Sequence, residues 1–212
     1  MMHNAQALQM MIDADRAPLD TIGEIVSDIR SQGVQATQII DRHRTMLRTR
    51  QLEKTPIDLH AVLSESLALV APEMSARQIQ TTVTLSSDPC VISGDQVLLQ
   101  QVLVNLVMNA MDAMADTPPD RRRVTITTRV RADKVEVSVH DTGTGLPAEI
   151  DGTLFTPFAT TKAYGLGIGL TIAQTIVEAH DGVIEAHNNP EGGATFTVRL
   201  RRTETASSLS GQ

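Results

Sequence analysis

Between Leu19 and Leu52 the seam positions fall at Ile22, Val26, Ile29, Gly33, Ala36, Ile40, His43 and Leu47, with spacings that alternate four and three. That alternation is a heptad seam, and it predicts one long helix packed in a bundle or coiled coil. Gly33 and Ala36 are small enough to let a neighbour approach closely. A shorter helix is expected over Asn4–Ile12, turned back by Asp13–Pro18, with Pro18 near the start of the long helix. Two helices make a hairpin, and two hairpins make a four-helix bundle, so residues 1–54 predict a homodimer. The competing reading is a helical appendage packed on its own globular domain.

After Thr55-Pro56 the pattern changes to mixed α and β. Asp58 is placed to cap a helix running to about Ala76. Short β-prone runs follow at Thr81–Leu85 and Cys90–Ile92, then a helix over Gln96–Met114 stopped by Thr117-Pro118-Pro119. Val124, Ile126, Thr128 and Val130 alternate with polar residues, as do Val135, Val137 and Val139, with a hairpin turn at Ala132-Asp133. A helix over Thr171–His180 is closed by Gly182. A last strand pair covers Val183–Ala186 and Ala194–Leu200, joined through Pro190 and Gly192-Gly193. This order predicts an α+β sandwich over residues 55–203, a mostly antiparallel sheet with helices on one face. Residues 204–212 read as a disordered polar tail.

Composition sharpens that outline. Of the 212 residues 41% are hydrophobic, yet there is no Trp, one Tyr and three Phe, so the core must be aliphatic. Three of the four aromatics, Phe155, Phe158 and Tyr164, lie within ten residues of each other. The net charge of −7 argues against a surface built to hold nucleic acid. A single cysteine, Cys90, excludes a disulfide within the chain and fits a reducing compartment. No apolar stretch approaches the ~18 residues needed to span a bilayer, and the chain reads as cytoplasmic.

Three further features carry chemistry. Asn105 and Asn109 are four apart and share a helix face, where their amide oxygens suit Mg²⁺ as well as a bond to a neighbouring loop. The strand ending at His140 delivers Asp141 into Asp-Thr-Gly-Thr-Gly. A carboxylate there can accept from a ligand amine such as that of adenine, with Gly143 and Gly145 admitting close backbone approach; an ordinary turn gives the same pattern. Gly165-Leu166-Gly167-Ile168-Gly169-Leu170 leads into a helix, whose free N–H groups and dipole favour phosphate. Thr160, Thr161 and Lys162 add hydroxyls and a charge beside it. No strand runs directly into these glycines, so a dinucleotide fold fails on context.

Taken in order, Asn-x-x-x-Asn, Asp-x-Gly-x-Gly, Phe-x-x-Phe (Phe155, Phe158) and Gly-x-Gly-x-Gly-Leu resemble the N, G1, F and G2 boxes of sensor histidine kinases. That family shares a superfamily with type II DNA topoisomerases, a heat-shock chaperone and mismatch-repair ATPases. The resemblance covers about residues 56–202, and the preceding hairpin resembles the later part of the dimerisation and phosphotransfer domain. Thr161–Tyr164 and Thr175–Gly182 resemble the nitrogen- and oxygen-sensing branch most. It implies a two-layer Bergerat ATP-binding fold using ATP and Mg²⁺, with a response regulator as partner. Asn109, with Asn105, would hold the metal and phosphates; Asp141 would read the adenine amine, with Gly143 and Gly145 shaping the pocket. Gly165, Leu166, Gly167, Gly169 and Leu170 would line the phosphates. Thr161 and Lys162 would lie on a lid and Thr160 beside it, with Asn109 and Lys162 closest to catalysis and Thr195 near the adenine. The two Phe would anchor the lid's base, leaving Tyr164 free to swing.

Two departures stand out. The family's acceptor histidine is followed by an acidic residue, with proline about five positions on, and none of His3, His43, His60, His140, His180 or His187 fits. The acceptor is therefore expected upstream of Met1, and this chain is expected to bind ATP without phosphorylating itself. Asp112, three positions after Asn109, would repel phosphate unless it points away or meets the metal. Three functions stay open: the catalytic core of such a kinase, a non-catalytic ATP-sensing or dimerising module, and another ATPase of the superfamily. The hairpin ahead of the ATP region favours the first over the third.

Overall fold

The chain divides into two units, Met1–Gln51 and Leu52–Gln212. The structure, a computed structural model, describes residues 52–147, 154–156 and 169–203. The hairpin expected over the N-terminal residues and the tail at 204–212 lie outside the described residues.

Strand β1 (Thr55–Asp58) pairs antiparallel with β3 (Val91–Gly94), Pro56 opposite Ser93. In the sequence Thr55-Pro56 marks only a boundary, whereas in the structure it opens a strand. β1 pairs on one side only, and on its free edge the missing N–H of proline goes unneeded. Strand β3 also runs to Gly94, two residues past the expected end at Ile92.

Asp58 caps helix α1 (Leu59–Ala76), accepting from the His60 N–H at 3.0 Å. The buried positions Leu59, Val62, Leu63, Ser66, Val70 and Met74 step by three and four, so one stripe faces the core. Asp95 caps α2 (Gln96–Ala113) through two N–H groups, of Val97 at 3.0 Å and Leu98 at 3.2 Å. Helix α3 (Gly169–Ala179) starts two residues earlier than its apolar pattern suggested.

Strands β2 (Gln80–Thr84), β4 (Arg123–Arg131), β5 (Lys134–Asp141), β6 (Val183–Asn188) and β7 (Ala194–Arg201) form one sheet in the order β2-β4-β5-β7-β6. All pairs are antiparallel except β2 with β4. The β4–β5 hairpin turns at Ala132, whose φ is 53°. Helix α2 lies between α1 and α3 and packs on β4 and β5, while α3 packs against β6. The sheet sends Val124, Ile126, Val135, Val137, Val139, Phe196, Val198 and Leu200 into the shared core. Each such buried side chain stabilises the fold by roughly 1.5–3 kcal/mol. Phe196 is the one aromatic in the buried core of the described residues, and Phe155 packs part-buried against that core. Phe158 and Tyr164 lie outside the described residues. Among the described residues no helix is long and apolar enough to cross a membrane.

Candidate functional site

Strand β5 ends at Asp141, whose carboxylate is 1% exposed. Alternation along β5 turns Asp141 to the same face as Val139 and Val137, toward the helices. Its Oδ1 accepts from the Gly143 N–H at 2.8 Å and the Ala194 N–H at 3.3 Å. Burial pushes the carboxyl above its ordinary value; the two N–H bonds and the nearby His140 ring pull the other way. Both main-chain donors go to Oδ1, so Oδ2 carries neither of them. A carboxylate held in this way can accept from a ligand N–H without first having to be oriented.

The glycines around Asp141 answer to the protein's own backbone. A Cβ on Gly143 would lie 2.4 Å from the Ala113 carbonyl oxygen at the end of α2, and that oxygen also accepts from the Thr144 N–H at 3.1 Å. The close approach at Gly143 is thus to a helix end. Gly145 (φ 76°) sits against Asn188, and Gly193 (φ 77°) against the Asp141 carbonyl, where a Cβ would fall 2.0 Å away. Gly193 and Ala194 are site residues with no site signature in the sequence, where Gly192-Gly193 reads as a turn. Thr195, opposite His140, shares its hydroxyl with the His140 Nδ1 (3.1 Å) and the Asn189 Oδ1 (2.6 Å).

On α2, Asn105 is 7% exposed and its Nδ2 donates to the Gly169 carbonyl at 3.3 Å, tying α2 to the first residue of α3. Asn109 follows one turn later, and its Nδ2 is buried with no hydrogen-bond partner among the described residues. An unpartnered buried amide costs about 1–3 kcal/mol, which a ligand can restore. Leu170 follows Gly169 in the first turn of α3, where the opening N–H groups have no helical partner. Thr171 Oγ1 donates to the Phe155 carbonyl at 2.9 Å, fixing that turn to the F segment. Thr160, Thr161, Lys162, Gly165, Leu166 and Gly167 lie outside the described residues.

Asp112 turns out to face α1: the Arg77 Nη1 donates to its Oδ1 at 2.9 Å. No group of three or more His, Cys, Asp or Glu side chains suited to a metal occurs among the described residues. A cation here would instead meet amide oxygen, as Mg²⁺ does when it keeps water and phosphate ligands. The unpaired atom of Asn109 is the donor Nδ2, which suits a phosphate oxygen, and its Oδ1 is the atom with the chemistry to meet a cation.

Residues 94–204 match the family described as histidine kinase-, DNA gyrase B- and HSP90-like ATPases. The chain is 38% identical over 170 residues to the sensor protein FixL of Bradyrhizobium diazoefficiens, covering 80% of this chain but 33% of that protein. The catalytic domain of the histidine kinase ThkA superposes with a TM-score of 0.64 at 30% identity, covering 71% of this chain and 96% of that domain. ThkA in complex with the response regulator protein TrrA gives a TM-score of 0.76 at 25% identity, over 93% of this chain and 56% of that one. The family match takes in more than half of the 212 residues and begins at β3, so the chain belongs to the histidine kinase-, DNA gyrase B- and HSP90-like ATPases and carries the histidine-kinase form of their ATP-binding domain.

Proposed function

We propose that the chain is the ATP-binding catalytic part of a two-component sensor histidine kinase, working in the cytoplasm as a homodimer through residues 1–54. The observation that carries this is the buried Asp141 carboxylate at one end of the site with the unpaired amide of Asn109 at the other. In that reading Asp141 receives the adenine, with Gly143 and Gly145 shaping the turn, while Thr195, bonded to His140 on the other face of the sheet, stays outside the pocket. Asn105 and Asn109 hold Mg²⁺, which supplies charge neutralisation at the phosphates. The α3 N-terminus with Gly165, Leu166, Gly167, Gly169 and Leu170 takes the phosphates, and Thr160, Thr161 and Lys162 close over them. Phosphoryl transfer is mostly positioning and charge neutralisation, so a site without a covalent nucleophile suits it.

The γ-phosphoryl goes to a histidine other than the six of this chain, and from there to a response regulator. His180 supports the first point, since both its ring nitrogens are engaged in the core. The ThkA–TrrA complex supports the second. Titration with ATP and MgCl₂ tests the binding: the wild-type chain binds, and Asn109→Ala loses most of the affinity. Radiolabelled ATP tests the acceptor, and stable acid-labile label on this chain would sink that part of the reading.

A further inference from the structure

The side-chain amide of Asn188, at the end of β6, pairs with both main-chain groups of Leu146. The Leu146 N–H donates to Oδ1 at 2.6 Å, and Nδ2 donates to the Leu146 carbonyl at 2.9 Å. The amide therefore does for Leu146 what a neighbouring strand would do. Gly145 makes room for it, since a Cβ there would lie 2.7 Å from the Asn188 Oδ1. Leu146 itself packs part-buried on the core.

The contact completes a circuit around Asp141. Leaving β5, the chain is tied to the end of α2 through Thr144 and Ala113, then to β6 through Leu146 and Asn188. From Asn188 the β6–β7 turn, closed by the Asn189 N–H on the Gly193 carbonyl at 2.9 Å, leads back to the Ala194 N–H on Asp141. The ties at Thr144, Asn189 and Ala194 are donated by main-chain N–H groups. Asn188 is a side-chain tie that substitution can remove.

We infer that Asn188 is a positioning residue for nucleobase selection: it clamps Leu146 to the β6–β7 turn so that Asp141 meets a purine 6-amino group in one fixed geometry. The inference rests on the ATP reading above. A base with a carbonyl in place of that amino group gains nothing from the fixed geometry, so the clamp favours ATP over GTP.

Calorimetric titration with ATP and with GTP, each with MgCl₂, on the wild-type chain, Asn188→Ala and Asn188→Asp tests it. Asn188→Ala is expected to weaken ATP about tenfold, the worth of two modest hydrogen bonds, and to leave GTP nearly unchanged. Asn188→Asp keeps the acceptor, loses the donor, and gives an intermediate ATP-to-GTP ratio; should Asn188→Ala fail to fold, that ratio decides alone. Equal losses for both nucleotides mark a purely structural role and overturn the inference, as does an unchanged ratio. A wild-type chain that binds no ATP overturns the proposed function and this inference together.

Discussion

His180 Nε2 accepts a hydrogen bond from the Asp95 N–H at 2.9 Å, joining the residue after α3 to the cap of α2. Its Nδ1 meets the Ile176 carbonyl at 2.7 Å, so the ring carries its proton on Nδ1 and leaves Nε2 to accept. Helix α3, which meets Asn105 of α2 at Gly169, is thus also pinned to α2 at its other end. Replacing His180 with Ala orphans the Asp95 N–H and opens a cavity beside Gly94, at a cost of about 2–4 kcal/mol. Urea denaturation measures this. A loss below about 0.5 kcal/mol would show that the pin carries no stability.

Gly143 sets a second, steric requirement. A Cβ there would meet the Ala113 oxygen at 2.4 Å and its carbonyl carbon at 2.6 Å, distances that neither backbone can yield without moving. Gly143→Ala is expected to cost at least about 2 kcal/mol and to weaken ATP binding, because Asp141 gives up the Gly143 N–H when the turn shifts. Gly192→Ala is the control: nothing lies within 4 Å of its Cβ position, although its φ of 99° strains any side chain. Nucleotide affinity equal in the two variants would refute the steric account.

How much of this was legible in the sequence depended on chain separation. Period revealed α1 and α2, and capping marked the start of α1 because Asp58 acts on an N–H two residues away. The β4–β5 hairpin was legible for the same local reason. β1 was not, since Pro56 argues against a strand until the ribbon with β3, more than thirty residues on, supplies the context. The parallel pairing of β2 with β4 was equally hidden. Asp112 looked hostile to phosphate because its partner, Arg77, lies 35 residues earlier. At the site, Asp141, Asn105 and Asn109 stood out as polar residues in apolar surroundings. The Ala194 N–H and the Asn188 clamp did not, because backbone groups and contacts 42 or 53 residues apart leave no local pattern.

Asp141 makes acidity a probe of the site. Its carboxyl lies above the ordinary 3.8 chiefly because burial penalises the charge. A raised carboxyl favours the fold while it is protonated, and that contribution is lost as pH rises from 3.8 through the folded-state value. Asp141→Asn removes the charge, so its stability relative to the wild-type chain should be greater at about pH 7 than at about pH 4. ATP affinity should behave oppositely: the wild-type chain loses it on acidification through the raised value, and the variant is weak throughout. Denaturation and ATP titration across that range measure both, and a stability difference that does not vary with pH would rule out the buried charge as its source.

Asn109→Ala separates what the site costs from what it does. The Asn109 Nδ2 is buried in α2 without a partner among the described residues, a loss the folded chain bears when no ligand is present. Alanine removes the unpaired amide and is the better helix former. The nucleotide-free variant should therefore be more stable than the wild-type chain by about 1 kcal/mol, read as a higher melting temperature. With ATP and MgCl₂ the order should reverse: the wild-type chain gains stability with the logarithm of ligand over Kd, and the variant gains little. Melting curves with and without nucleotide give both readings in one experiment. A variant destabilised without nucleotide would mean that the amide has a structural partner after all, and one that keeps its full nucleotide-induced shift would remove Asn109 from the binding site.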